Sequence, residues 1–473
     1  MRIFNNLSRK IEEFEPVNAP QVFIYSCGPT VYDVSHIGHA RSTINWDLLY
    51  RYLNHKGYKT KWIRNITNID DKIVARATEQ GISADKLSRI YTQEFWADMK
   101  ALNVSWPDFE PRATDFLPEM IKFIEELIDQ GFAYKVENLP ENSQMQGLRS
   151  SDKRNAAVGD LQVGYDVYFR VSKHQNYGQL KGQNLEQLRD GLSRVDPNSK
   201  KEDQLDFALW KSFPNDDSSF ESPWGLGRPG WHLECSSMIR SILKQHGAGD
   251  TLDIHAGGDD LVHPHHENEC AQSESLSGKP LAKYWMHNGM VMINGSKMSK
   301  SEGNYFTIKD VLAKYKANSI RYFCLSTHYK KQINFSHEAL EAAETGFESL
   351  ISSIKGTEAK AHDKDLVSKF NAAMDDDLNS AKALALLFEN KDSTETVAYL
   401  LEVLGFDLSQ KSDQDNPKIT SALDAIIRLL LKMRDAARNN KDFATSDKIR
   451  NSLTEAGISI KDHRDQETEW SLT

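Results

Sequence analysis

A chain of 473 residues, 39% hydrophobic and 27% charged, is too long for one typical core and is expected to fold as roughly two to four domains. No apolar stretch approaches the roughly 20 residues a membrane span needs, and Arg9, Lys10, Glu12 and Glu13 leave no apolar signal core near Met1. The net charge of −10 speaks against attraction to polyanions at long range, but a local basic stripe governs phosphate contact, so a nucleic-acid partner is not excluded.

Residues 20 to about 110 alternate apolar runs with amphipathic stretches: a strand over 22–26, a helix over 38–54, a strand over 59–64 and helices beyond 83. That alternation predicts βαβ units and a parallel sheet. From about 111 to 225 the pattern degrades. Leu117–Gly131 keeps helical spacing, and Ala133–Val136 with Asp166–Arg170 would make a hairpin if joined directly. Between them Asn138–Gly164 is polar, glycine-dotted and without a period, the pattern of a surface loop. Sheet patterning resumes at Thr251-Leu252-Asp253-Ile254-His255, followed by Gly257-Gly258-Asp259-Asp260 and a helix from about Pro264 to Ser277. Doubly wound sheets bind ligands beyond the carboxyl ends of their strands, and the turns at Cys27 and His255 both fall at such ends.

After about Asn334 the chain reads as helical, over Leu340–Ile354 and Phe370–Phe388. Met374-Asp375-Asp376-Asp377-Leu378-Asn379 precedes an alanine/leucine-rich helix. Three carboxylates at a helix start suit the macrodipole and predict capping rather than catalysis. Gln410–Asn416 reads as a polar linker, with the last helices over Ile426–Met433 and Phe443–Leu453.

Two short tags carry chemistry. His36-Ile37-Gly38-His39 follows the apolar run Val22-Phe23-Ile24-Tyr25 and the Gly28-Pro29 turn, and it opens a helix. Strand, tight turn and helix start make a phosphate site, because unpaired N–H groups and the helix dipole converge there. Lys297-Met298-Ser299-Lys300-Ser301 puts two lysines in a Gly/Ser-rich loop, where ammonium groups can grip a polyphosphate. Each tag alone is weak; both in this order point to nucleotide chemistry.

The pairing resembles the signatures of class I aminoacyl-tRNA synthetases. Cys27-Gly28-Pro29-Thr30-Val31-Tyr32-Asp33, Arg64-Asn65-Ile66-Thr67-Asn68-Ile69-Asp70-Asp71-Lys72, Gly230-Trp231-His232-Leu233-Glu234-Cys235 and Pro264-His265-His266-Glu267-Asn268-Glu269 narrow the likeness to the cysteinyl-tRNA synthetase family, from about Cys27 to about Gly457. The resemblance implies an α/β fold: a split Rossmann-type nucleotide-binding domain with a connective insertion, then an α-helical C-terminal region. On that pattern, 1–110 and 226–295 are the halves of the catalytic domain and 111–225 the insertion. A stem-contact region with the lysine loop follows over 296–340, then a helical bundle over 341–410 and a small tRNA-binding region over 411–473. Asn138–Gly164 departs from the family, where a short turn is usual, and Glu467 stands where glycine is usual.

Four cysteines without paired spacing argue for reduced thiols and a cytoplasmic protein. His265 and Glu269 are i,i+4 on the predicted helix and share a face; so do His266 and Cys270, and periodicity leaves the two registers open. The resemblance implies that Cys27, Cys235, His265 and Glu269 hold one zinc ion, which leaves Cys270 and Cys324 as core thiols. Zinc favours a soft thiolate over a hydroxyl, so a metal–sulfur bond would separate cysteine from serine where a shape-based pocket reaches only about 10–200-fold. The substrate thiolate would be an added ligand, so the metal would become five-coordinate or loosen Glu269.

The resemblance further implies two steps: ATP-dependent activation of L-cysteine to cysteinyl-adenylate, then transfer to the 3′-terminal ribose of tRNA. His36 and His39 would donate to phosphate oxygens, and Lys297 and Lys300 would bind pyrophosphate, with Lys300 foremost. Pro29, Gly38, His39, Asp260 and Lys300 would form the ATP site, with magnesium held mainly by phosphates and water. Asp259 is left beside Asp260 as an alternative contact. Gly28, Thr67, Trp231 and His255 would wall the side-chain pocket. Arg428, Lys432, Arg434, Arg438, Lys441, Lys448 and Arg450 would offer a basic face to tRNA(Cys), and a monomer is expected. The rivals are a cysteine ligase acting on an amino sugar, which would lack or reduce the long helical C-terminal region, and a non-catalytic synthetase-like RNA-binding protein, which would have lost a tag or ligand residue.

Overall fold

Four parallel strands form the central sheet: β1 (Gln21–Ser26), β2 (Lys59–Arg64), β3 (Leu252–Gly258) and β4 (Ala282–Asn288), in the spatial order β4-β3-β1-β2. The computed structural model describes residues 1–138, 164–190, 200–213, 218–298, 304–409, 417–440, 442–455, 458–461 and 469–472. Tyr25 lies opposite Ile63 on one side and His255 on the other. β1 and β3 are buried almost throughout, as strands covered on both faces must be, and their apolar runs reflect it. α1 (Ile37–His55) connects β1 to β2, α2 (Trp231–Gln245) precedes β3, and α3 (Glu267–Ser277) lies between β3 and β4. The chain winds outward from β1 in one half and from β3 in the other. The order therefore reverses between these two neighbours, and their carboxyl ends open onto the switch point. Cys27 N–H donates to Ala256 O at 3.2 Å, carrying the pairing just past the end of β1.

The predicted strands at 22–26 and 59–64 and the helix at 38–54 are found within a residue or so. A helix over Asp71–Gln80 was not predicted. It is capped by Asp70 and closed by Gly81 in the left-handed region (φ 64°), where glycine carries no steric penalty. The insertion folds around its own antiparallel sheet, ordered Ala133–Asn138, Gly164–Phe169, Phe207–Ser212, Gly227–Pro229. The predicted hairpin forms, with Ala133 opposite Phe169 and Asn138 opposite Gly164. Helix Leu117–Asp129 packs Met120, Phe123, Ile124 and Leu127 against that sheet and against Leu233 of α2. The loop expected over 138–164 falls almost wholly outside the described residues.

The capping role predicted for the triple aspartate is corrected. Two helices, Lys364–Met374 and Ser380–Glu389, flank the turn, and Asn379 caps the second by accepting from Lys382 N–H at 3.1 Å. The aspartates reach other elements instead. Asp375 accepts from Tyr52 and Lys56, Asp376 from Arg2, and Asp377 from Tyr329 and the Phe4 amide. Asp377 and Leu378 take positive φ (57° and 54°), so the turn departs from a helical start.

Met1–Phe406 forms one compact unit and Asp407–Thr473 another. In the second, helices Pro417–Asn439 and Phe443–Glu455 share a small core of Ile427, Leu431, Leu453 and Ile458, and Ile458–Lys461 pairs with Glu469–Leu472. Arg428, Lys432, Arg438, Lys448 and Arg450 are exposed. Arg434 is not: it is 2% exposed and is removed from the predicted RNA-facing set. Lys441 and the predicted linker 410–416 lie outside the described residues. Among the described residues no helix is long and apolar enough to cross a membrane.

Candidate active site and metal cluster

The N-terminus of α1 is built by its two histidines. His36 is the cap: its Nδ1 accepts from Gly38 N–H at 3.1 Å and from His39 N–H at 3.4 Å. His39 Nδ1 accepts in return from His36 N–H at 3.3 Å, and the rings stack with centroids 3.7 Å apart. This is a capping box in which imidazoles replace the usual hydroxyl and carboxylate. A ring nitrogen that accepts carries no proton, so in the neutral rings Nε2 is the donor. Burial lowers His39 to about 4, which keeps it neutral. A Cβ on Gly38 would stand 2.8 Å from His36 Cε1, so any other residue displaces the capping ring.

Gly28 is likewise fixed by close approach: a Cβ there would lie 1.7 Å from Asn65 O, and its N–H donates to Asn65 Oδ1 at 2.8 Å. Pro29 is buried with its carbonyl taken by Thr67 N–H at 3.1 Å. Thr67 Oγ1 accepts from Asn65 and donates to Glu234 Oε2 at 3.0 Å. Asp259 and Asp260 are both exposed in a short turn at the end of β3, and burial together with Asp260 raises the Asp259 carboxyl. Lys297 belongs to the short strand Ser296–Lys297, and Lys300 lies outside the described residues. The loop expected before them is a tight hairpin with Asn294 and Gly295 at φ 48° and 79°, the two positive angles of an Asn-Gly turn.

Cys27, His265, His266 and Glu269 place one ligand atom each within 4.8 Å of one another. Cys27 Sγ stands 3.2 Å from His266 Nε2 and 3.8 Å from Glu269 Oε1. His265 Nε2 is 2.9 Å from Glu269 Oε1 and 3.6 Å from Cys235 Sγ. His266 thus joins the His265/Glu269 register, while its register partner Cys270 is not among the four. The expected helix from Pro264 starts only at Glu267; a wide turn over Val262–His266, with His263 extended, presents His265 and His266 to the same side. Cys270 and Cys324 are buried in the protein, and burial raises both thiols.

A second layer orients this cluster, and sequence reading missed most of it. His255 Nε2 bonds Glu269 Oε2 at 2.8 Å, His232 Nδ1 lies 2.9 Å from His265 Nδ1, and His287 Nε2 lies 2.8 Å from His266 Nδ1. Trp231 stacks on His265 at 4.0 Å, and Trp285 on His255 at 4.4 Å. His287 and Asn288 end β4, so the carboxyl-end rule that singled out Cys27 and His255 could have found them. Trp231 and His255 thus adjoin the cluster, and Thr67 reaches Glu234, the residue before Cys235. A cavity of about 180 Å³ opens beside Trp231, His232 and Glu234.

The electrostatics favour a cation. Burial opposes ionisation of Glu269, but His255 and His265 lower it to about 2. Burial likewise opposes a charged His265, yet Glu269 and Cys235 raise it to about 10. Burial works against a Cys235 thiolate too; the Cys27 hydrogen bond and His265 bring it to about 6, while burial and the Cys235 bond push Cys27 up. Zinc bonds of about 2.0–2.3 Å put tetrahedral ligands roughly 3.3–3.8 Å apart, and thiol, imidazole and carboxylate are its usual donors. The contacts of 3.6 and 3.8 Å fall in that range, whereas those of 2.9 and 3.2 Å are shorter, so the donors would spread slightly around such an ion.

Known proteins resemble this chain over nearly its whole length. The family model described as "tRNA synthetases class I (C) catalytic domain" matches residues 13–345, a DALR domain matches 369–433, and a "Cysteinyl-tRNA ligase anticodon binding domain" matches 420–470. A cysteine--tRNA ligase of Thermodesulfovibrio yellowstonii is 40% identical across 100% of this chain and 99% of its own. One from Vibrio atlanticus is 42% identical across 98% of each. Among solved structures, a Mycobacterium tuberculosis methionyl-tRNA synthetase bound by methionyl-adenylate superposes with a TM-score of 0.56 over 85% of this chain and 87% of that one; at 15% identity it speaks to the fold alone. Full-length similarity of this kind, on a split parallel sheet, makes the chain a member of the cysteine--tRNA ligase family.

Proposed function

We propose that this cleft activates L-cysteine with ATP and passes it to the terminal ribose of tRNA(Cys), with zinc as the ion that reads the substrate's sulfur. The observation that carries the reading is a thiol–imidazole–carboxylate cluster beside the carboxyl ends of β1 and β3, in a chain whose next helix after β1 opens on the histidine-capped tag. Cys27, Cys235, His265 and Glu269 would hold the zinc, with His266 as a further donor within reach. When bound, zinc would supply a Lewis acid that ionises a thiol at neutral pH and prefers it to a hydroxyl.

The remaining roles belong to the chain. His36 and His39 keep Nδ1 engaged with backbone amides, so Nε2–H of each is free of tautomer exchange and donates to phosphate oxygens as charge develops. The amide dipoles of α1 add to that field. Lys297 and Lys300 neutralise departing pyrophosphate, with magnesium accompanying ATP. Gly28, Pro29 and Gly38 let nucleotide approach the backbone, and Asp260 (or Asp259) accepts from ribose or substrate ammonium. Thr67 and Trp231 confine the side chain, and His255 fixes the Glu269 carboxylate. The exposed basic side chains of Pro417–Asn439 and Phe443–Glu455 meet the anticodon end of tRNA. We assign a cytoplasmic monomer divided into the six segments named above. The match to an anticodon-binding domain at 420–470 speaks against the amino-sugar ligase. ATP–pyrophosphate exchange with cysteine and with serine, before and after chelation, then charging of total tRNA, tests the reading; exchange without charging would refute it.

A further inference from the structure

Arg41, one turn into α1, is 0% exposed, and among the described residues no carboxylate pairs with it. Its guanidinium spends its hydrogen bonds on main-chain carbonyls: Nη1 on Met290 O at 3.1 Å, Nη2 on Tyr329 O at 3.2 Å and on Lys331 O. Those carbonyls belong to the two segments that form the root of the lysine-tag hairpin. Met290 leads into strand Val291–Ile293, and Lys331 leads into strand Ile333–Phe335, which pairs with it in parallel. The segments touch closely at the root: Gly289 N–H donates to Tyr329 O at 2.9 Å, and a Cβ on Gly289 would lie 2.6 Å from Lys331 O. The other side of the root is anchored as well, since Tyr329 OH donates to Asp377 at 2.8 Å.

At its far end the hairpin returns to α1. Ser296–Lys297 pairs with Val291–Ile293, and the Met298 methyl comes within 3.6 Å of where a Cβ of Gly38 would stand. The chain that resumes at Tyr305–Thr307 binds the same helix start: Ile37 N–H donates to Phe306 O at 3.1 Å, and Tyr305 sets its ring on edge against His36. One helix turn therefore carries the histidine tag on its end and grips the root of the lysine-tag hairpin on its side.

We propose that Arg41 is a positioning residue that sets the hairpin, and with it the backbone of Lys297, against the start of α1 that carries His36 and His39; this rests on the roles given to those segments above. A planar fork can bridge carbonyls on two segments at once, whereas an ammonium on a flexible stem acts as a single point and cannot hold the same geometry.

Arg41→Lys tests it, with Arg321→Lys as the comparison. Arg321 is also fully buried and donates to Leu102, Asn103 and Leu404 carbonyls, but it grips no part of the hairpin root. Cysteine-dependent exchange, equilibrium cysteine binding and thermal unfolding are measured for wild type and both variants. A displacement on the order of 1 Å lowers a positioned reaction by up to about 100-fold. Arg41→Lys is therefore expected to lose about 10- to 100-fold in kcat for exchange while cysteine affinity stays within about twofold. Arg321→Lys is expected to melt earlier with kcat retained. Gly289→Ala, which opens the same root from the opposite side, is expected to repeat the Arg41→Lys signature. If Arg41→Lys melts earlier but keeps its kcat, or loses cysteine affinity in step with kcat, Arg41 is a core staple and the proposal fails. If wild type itself shows no cysteine-dependent exchange, the functional reading falls and takes this inference with it.

Discussion

Gly38→Ala separates catalysis from stability at one atom. The added Cβ would stand 2.8 Å from Cε1 and 2.9 Å from Nδ1 of His36, whereas ordinary contact begins near 3.4 Å. The ring must retreat by most of an ångström, which breaks the cap bonds of 3.1 and 3.4 Å to Gly38 and His39 amides. A lost cap costs about 1 kcal/mol. Replacing glycine by alanine in a helix returns roughly 0.5–1 kcal/mol, so the net change in stability is small. Catalysis does not share in that cancellation. His36 Nε2 moves with its ring, and a misplaced donor of this kind costs up to about 100-fold. Steady-state ATP–pyrophosphate exchange with cysteine should therefore fall by about 30- to 100-fold while the thermal midpoint moves little. A variant with wild-type kcat would refute the role given to the His36 cap.

Asp47→Asn breaks a buried pair, since Asp47 lies 2.8 Å from Arg321 with both side chains at 1% exposure or less, and should cost about 3–5 kcal/mol by denaturant unfolding. Burial alone would raise the Asp47 carboxyl, but Arg321 and Arg51 outweigh it and hold it below its ordinary 3.8; its stabilisation is complete above that value and is lost as pH falls through the lower folded value. Acid titration of the unfolding free energy should show this loss in wild type and not in Asp47→Asn. Cys235→Ser should lower metal content and cysteine affinity while ATP binding persists, and Cys270→Ser should leave metal content unchanged; elemental analysis with calorimetry checks both. Lys432→Glu combined with Arg438→Glu should raise the KM for tRNA and its salt sensitivity, with exchange kinetics unaltered.

The strands, α1 and the insertion hairpin were legible because apolar period and turn chemistry agree locally. The tags were legible because their chemistry sits in contiguous residues. What escaped the sequence depends on the third dimension. Periodicity treated His265/Glu269 and His266/Cys270 as rival helix faces, but the wide turn over Val262–His266 breaks the helical phase and turns both histidines inward. The triple aspartate looked like a cap because its partners, Arg2, Tyr52 and Tyr329, are far away in the chain. His232 and His287 gave no signal of their own, since their role is to contact other histidines. Arg434 belongs to a charged run, yet it is buried rather than open to solvent.

The central claim is that sulfur meets a cation at Cys27, Cys235, His265 and Glu269. Replacing the ion with cobalt(II) and recording the electronic spectrum on addition of L-cysteine, then L-serine, tests it most directly. Added thiolate-to-metal charge-transfer intensity is expected with cysteine, and no change with serine. Identical spectra with the two amino acids would contradict it.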